Sequence, residues 1–141
     1  MRIERQRRPA GEPVRVGVAG AHGRLGRVAC AAISGTTDLA LVAGFVRRVP
    51  ASSDGGFALF DDLAAFYAMD MDVVIDCTVY PLTLDVAGEA VTAGVAPVIG
   101  ATGWTDEDVV HFTDRCEKAA LGALLVPNFS IGAALMMRFA A

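Results

Sequence analysis

One stretch near the N-terminus constrains this chain more than any other. The aliphatic run Val14-Arg15-Val16-Gly17-Val18-Ala19 passes directly into Gly20-Ala21-His22-Gly23-Arg24-Leu25-Gly26. A hydrophobic run of that length reads as a strand, and the residues from Arg24 to Ile33 read as a helix. The glycines between them sit where a strand must turn sharply into a helix. Gly20 permits the tight turn, Gly23 lets backbone approach a pyrophosphate, and Gly26 lets helix and strand pack closely. The first N–H groups of the helix then face an anion. A glycine triplet alone is weak evidence, and a ligand-free strand-to-helix turn is the competing reading. Its place between a first strand and a first helix strengthens the phosphate reading.

The rest of the chain continues the alternation. Strand-like runs fall at Val14–Ala19, Leu39–Val46, Val73–Cys77, Pro97–Ile99 and Ala123–Val126, with a weaker piece at Phe57–Leu59. Helical patterns fall at Arg24–Ile33, Asp62–Ala68, Leu82–Ala93 and Asp106–Ala119, and a last one starts near Ser130. Strands alternating with helices imply βαβ units with right-handed crossovers. The expected class is α/β: a Rossmann-type doubly wound parallel sheet with helices on both faces. A content of 54% hydrophobic and 20% charged residues suits a sheet buried on both sides. Thr105 followed by Asp106, Glu107 and Asp108 marks a helix start, and Gly94 and Gly122 are expected helix ends.

Residues 1–13, MRIERQRRPAGEP, are basic and lack apolar periodicity, so a flexible tail is expected there and a single domain over 14–141. The tail has no apolar stretch after its arginines, as a secretory signal would need. No run is long and apolar enough to span a membrane. A formal net charge of −4 argues against a nucleic-acid partner. Cys30, Cys77 and Cys116 are odd in number and lack CxxC spacing, which gives no support to zinc or a disulfide framework. They fit a reducing cytoplasm, and no metal site is expected.

An NAD-preferring site wants an acidic residue about 20 residues after the glycine loop, on the ribose 2′-OH. Val46 stands there instead, followed by Arg47 and Arg48. A guanidinium pairs with a 2′-phosphate, so the spacing favours NADPH and leaves NADH possible. A charged loop start is the alternative reading of this pair. Gly100-Ala101-Thr102-Gly103 and Val126-Pro127-Asn128-Phe129 close two later strands, on the edge where doubly wound sheets bind ligands. Small residues let a flat ring approach backbone, Asn128 offers an amide and Phe129 a wall. Ordinary turn chemistry explains each of these loops equally well.

Together these segments resemble a family. Gly20-Ala21-His22-Gly23-Arg24-Leu25-Gly26, Asp72-Val73-Val74-Ile75-Asp76-Cys77-Thr78, Val98-Ile99-Gly100-Ala101-Thr102-Gly103 and Pro127-Asn128-Phe129-Ser130-Ile131-Gly132 are similar, in order and spacing, to the motifs of dihydrodipicolinate reductases. The resemblance runs from Val14 to Arg138 and implies residue roles. Gly20, Ala21, His22, Gly23, Arg24 and Leu25 would hold the pyrophosphate, and Arg47 the 2′-phosphate. Gly100, Ala101, Thr102, Val126, Pro127, Asn128 and Phe129 would lie along the nicotinamide and its ribose. The departures are Val46 for a common acidic residue, Cys77 and Ala101 for the usual Phe and Thr, and a proline displaced to Pro81.

The resemblance also implies a second domain carrying a His-His pair, a lysine and the loop that binds a cyclic dicarboxylate substrate and builds a homo-oligomer. The sequence holds no match to it, so no catalytic residue is expected in this chain, and the apolar stretch Ile131–Phe139 would lead into that domain. His22 would lie at the phosphates, far from a nicotinamide, and His111 on a polar helix face. Two other classes remain open. One is a non-catalytic nucleotide module, a redox sensor or CoA binder, which has no need of a ring pocket at Thr102 and Asn128. The other is a semialdehyde dehydrogenase fragment using Cys77 as nucleophile, for which the sequence shows no basic partner nearby.

Overall fold

The computed structural model describes residue 9 and residues 11–51 and 56–126. Six strands and four helices alternate: β1 (Val14–Ala19), α1 (Arg24–Ser34), β2 (Leu39–Phe45), β3 (Ala58–Phe60), α2 (Leu63–Tyr67), β4 (Val73–Asp76), α3 (Leu82–Ala93), β5 (Ala96–Ile99), α4 (Asp106–Ala119) and β6 (Leu124–Leu125). All strands are parallel, in the order β3-β2-β1-β4-β5-β6. The order reverses beside β1, which is the switch point of a doubly wound sheet. The Rossmann-type reading therefore holds. The helix expected from Ser130 lies outside the described residues.

Period-two alternation divides the strand residues between two faces. Val16 and Val18 of β1 turn toward α1 and pack with Ala21, Ile33 and Val46. Ala19 turns the other way, into a cluster with Phe45, Phe66, Met71, Val74, Val86 and Val95 beneath α2 and α3. A third, smaller cluster joins Ala87 of α3 to Ile99 and Ala101, with Trp104 and Phe112 against it. Crossovers thus bring α1 to one face and α2 and α3 to the other, while Leu124 and Leu125 of β6 stay exposed. The result holds the carboxyl ends of β1, β2, β3 and β4 on one rigid edge.

Helix ends follow local chemistry with one correction. Thr105 and Asp108 form a reciprocal capping box at the start of α4, and Gly94 closes α3 in the left-handed region at φ 69°. The end of α4 differs from expectation. Ala120, not Gly122, takes the left-handed conformation, at φ 52°. The last turn closes through Leu121 N–H donating to the Cys116 carbonyl at 3.0 Å, and Leu121 is half-buried. That closure fixes the reversal before Gly122 is reached.

Candidate functional site

The turn from β1 to α1 is built as its glycines require. Gly20 has φ +78°, and a Cβ there would stand 2.8 Å from the Cys77 carbonyl oxygen. A Cβ on Gly26 would stand 2.0 Å from the Gly20 carbonyl oxygen, so only glycine lets α1 sit this close to the loop. Gly20 and Ala21 N–H both donate to the Phe45 carbonyl, at 2.8 and 3.1 Å, and Gly23 N–H donates to the Gly20 carbonyl at 2.9 Å. The Arg27 guanidinium donates to the His22 carbonyl at 3.1 Å. Gly23 is the N-cap of α1, with no side-chain cap and no acidic residue in the first turn. The first-turn N–H groups, which have no intrahelical acceptor, therefore point outward as an anion cradle.

A cavity of about 470 Å³ opens against this loop, lined by Gly20, His22, Gly23, Phe45, Val46, Arg47, Asp61, Cys77, Thr78, Val79 and Leu82. That volume is in the range of small-ligand sites. It runs along the carboxyl edge from β3 across β1 to β4. Of the residues expected from sequence, Gly20, His22, Gly23 and Arg47 meet in it. Ala21 is buried beneath the loop and serves packing, while Arg24 and Leu25 are exposed at the start of α1. Gly100, Ala101 and Thr102 follow β5, farther along the edge, and do not line the cavity. Gly100 N–H donates to the Asp76 carbonyl, Ala101 is buried and Thr102 is exposed. Val126 N–H donates to the Ile99 carbonyl, which keeps the end of β6 beside β5. Pro127, Asn128 and Phe129 lie outside the described residues.

Sequence reading missed the far wall, the turn from β4 to α3. Asp76 is fully buried there and holds the turn. Thr78 donates to one carboxylate oxygen through its N–H at 2.9 Å and its hydroxyl at 2.6 Å. The Thr83 hydroxyl donates to the other oxygen at 2.5 Å. A buried carboxylate is tolerable only when saturated in this way. The motif Asp76-x-Thr78 carried the signal, since an acid two residues before a threonine invites this turn. Pro81 then occupies the N-cap of α3.

Cys77 faces the cavity in surroundings that disfavour its thiolate. Burial, with the Asp76 charge and Cys30 adding to it, pushes its thiol up to about 12. The thiolate is the reactive form, so this environment works against covalent chemistry at Cys77. Cys30 is pushed up as well, chiefly by burial. His111 is exposed and 3.5 Å from Glu107 on α4, away from the cavity. Among the described residues no group of His, Cys, Asp and Glu could hold a metal, and no helix is long and apolar enough to cross a membrane.

Sheet order, glycine turn and edge cavity define the class: this is a dinucleotide-binding Rossmann domain. Comparison with known proteins narrows it. The family described as dihydrodipicolinate reductase, N-terminus, matches residues 14–129. The 4-hydroxy-tetrahydrodipicolinate reductase of Streptococcus thermophilus is 35% identical over 128 residues, covering 91% of this chain and 50% of that protein. The enzyme of the same name from Geobacillus thermodenitrificans is 38% identical over 136 residues, covering 90% of this chain and 51% of that protein. A dipicolinate-bound dihydrodipicolinate reductase from Paenisporosarcina sp. TG-14 superposes with a TM-score of 0.78 at 31% identity, over 91% of this chain and 52% of that one. The chain belongs to the dihydrodipicolinate reductase family and corresponds to its N-terminal nucleotide-binding domain. It spans about half the length of the curated relatives it matches.

Proposed function

We propose that this domain, residues 14–141, binds NADPH in preference to NADH for a reductase of lysine and diaminopimelate biosynthesis that works in the cytoplasm. The observation that carries the reading is the uncapped N-terminus of α1 behind the Gly20–Gly26 turn, with Arg47 on the same cavity. The residues fit a dinucleotide: a Cβ at Gly20 would collide with the Cys77 carbonyl and one at Gly26 with the Gly20 carbonyl, so glycine at both positions lets the turn bring the start of α1 to the cavity. The first turn of α1, with His22, Gly23, Arg24 and Leu25, takes the pyrophosphate. Arg47 takes the 2′-phosphate, and Cys77, Thr78, Val79 and Leu82 form the far wall of the cavity. Gly100, Ala101 and Thr102, with Val126, Pro127, Asn128 and Phe129, orient the nicotinamide end. The bound cofactor supplies the hydride.

The cyclic dicarboxylate is bound, and its proton supplied, by residues of the second domain that the family resemblance implies, in a homo-oligomer. The 141-residue chain alone then binds cofactor at micromolar concentration and turns over little substrate. Calorimetric titration of NADPH, NADH and coenzyme A, paired with a steady-state reductase assay on the same sample, tests the reading. The expected result is binding of NADPH, weaker binding of NADH and none of coenzyme A. Preference for coenzyme A would favour a module with no hydride chemistry.

A further inference from the structure

The carboxylate that β2 lacks is present in space. β2 and β3 pair through Ala43 with Ala58, Gly44 with Leu59 and Phe45 with Phe60, and Val46 N–H donates to the Phe60 carbonyl at 2.8 Å. The two strands therefore run out together, and the first residue after β3 is Asp61, in step with Val46. Val46 is only 3% exposed and belongs to the core under α1, so it offers the cavity no polar group. Asp61 and Arg47 are exposed and both line the cavity that holds Gly20, His22 and Gly23. Among the described residues neither side chain has an ion pair or hydrogen bond, in contrast to Asp62. That neighbour accepts from Ala65 N–H at 2.8 Å and caps α2. Of the two adjacent acids, one is committed to a helix and the other faces the cavity.

We propose that Asp61 is the ribose-diol acceptor of this site, supplied from β3 where such sites usually draw it from β2. This rests on the reading of the cavity as a pyridine-nucleotide site. A carboxylate accepts from the 2′- and 3′-hydroxyls of NADH and repels a 2′-phosphate, whereas the Arg47 guanidinium does the reverse. The two residues act on the same ribose in opposite senses. Arg47 sets the preference for NADPH, and Asp61 keeps NADH within reach.

The test measures Kd for NADPH, NADH, 2′-phospho-ADP-ribose and ADP-ribose on the 141-residue chain and on Asp61→Asn, Asp61→Ser and Arg47→Ala, with thermal midpoints alongside. Losing one charge-assisted contact changes affinity by about ten-fold or more. Both Asp61 variants should weaken NADH and ADP-ribose by that order while leaving the phosphorylated pair as tight or tighter. Arg47→Ala should weaken the phosphorylated pair instead. Asp62→Ala serves as control and should lower the midpoint, by removing the cap of α2, without moving the NADH to NADPH ratio. An unchanged ratio in folded Asp61 variants overturns the role of Asp61 and leaves the cofactor reading standing. Failure of the unmodified chain to bind any of the four ligands overturns both.

Discussion

Replacing Gly26 by alanine is the sharpest test of how the loop and α1 are fitted together. The new Cβ would stand 2.0 Å from the Gly20 carbonyl oxygen and 2.9 Å from the Ala21 Cα. Ordinary contact lies near about 3.5 Å, so the helix and loop must part by roughly 1.5 Å. The carbonyl cannot swing away freely, because it accepts from Gly23 N–H at 2.9 Å while Gly20 N–H is held by Phe45 at 2.8 Å. Overpacking of this kind costs about 1–3 kcal/mol, and one broken loop hydrogen bond adds about 1 kcal/mol. Alanine gains roughly 1 kcal/mol over glycine inside a helix, which offsets part of it. The net expectation is a loss of about 1–3 kcal/mol in urea unfolding at constant m-value. NADPH affinity should fall at the same time by roughly ten-fold or more, since a shift of this size misaligns the first-turn N–H groups. Gly23→Ala is the internal comparison. Its Cβ would meet the same oxygen at 3.2 Å, which requires a shift of only a few tenths of an ångström. Stability within about 0.5 kcal/mol of the unmodified chain and full affinity in Gly26→Ala would refute the argument.

Three further expectations follow from the same geometry. Gly23→Val should stay folded, because φ −69° and ψ 168° at this N-cap suit any residue, yet should abolish titratable binding of either cofactor by filling the phosphate approach; unchanged affinity would place the phosphates elsewhere. Asp76→Ala should lower stability by about 2–4 kcal/mol in urea unfolding, because it strands the buried Thr83 hydroxyl and takes the acceptor from the half-buried Thr78 N–H and hydroxyl; a loss below about 0.5 kcal/mol would contradict the network. Cys77 gives up its proton near about 12 in the fold, against an ordinary 9.0, so the folded chain retains a proton that the unfolded chain loses and the thiol favours unfolding as pH rises through that window. At pH 8 thiolate is suppressed about a thousand-fold, higher intrinsic nucleophilicity recovers part of that, and iodoacetamide should label Cys77 roughly 30-fold more slowly than in urea; equal rates by mass spectrometry would contradict it.

The fold was legible because its signals are local. The aliphatic run ending at Ala19, the glycines at 20, 23 and 26, and the capping residues at Thr105 and Asp108 each act within a few residues of themselves. Val14–Ala19, Leu82–Ala93 and Asp106–Ala119 fall on the expected bounds for this reason. The end of α4 was not legible, since Ala120 accepts a left-handed conformation that its own side chain disfavours and a tertiary closure imposes. Asp61 was not legible either. Its nearness to Arg47 depends on the register of β3 against β2, and no count along the chain encodes which residues stand abreast when two parallel strands end. The wall from Cys77 to Leu82 was half legible, for Asp76 and Thr78 were noticed as a motif but not as the frame of a turn.

Four described helices begin at the carboxyl edge of this sheet, and each presents a positive dipole end there. Their first turns differ in a way that decides where an external anion can sit. Asp62 caps α2 through Ala65 N–H. At α3, Asp85 lies in the first turn and the Thr83 hydroxyl reaches the buried Asp76. At α4, Thr105 and Asp108 complete a capping box with Asp106 and Glu107 alongside, and the bonds from Thr105 hold the Asp108 carboxyl below the usual range. Only α1, among these four, has neither a side-chain cap nor an acid in its first turn. A phosphate arriving at the edge is repelled or displaced by the chain's own carboxylates at three helices and meets unengaged N–H groups at the fourth. The glycine turn matters because it starts that helix without bringing a side chain of its own into the place the anion needs.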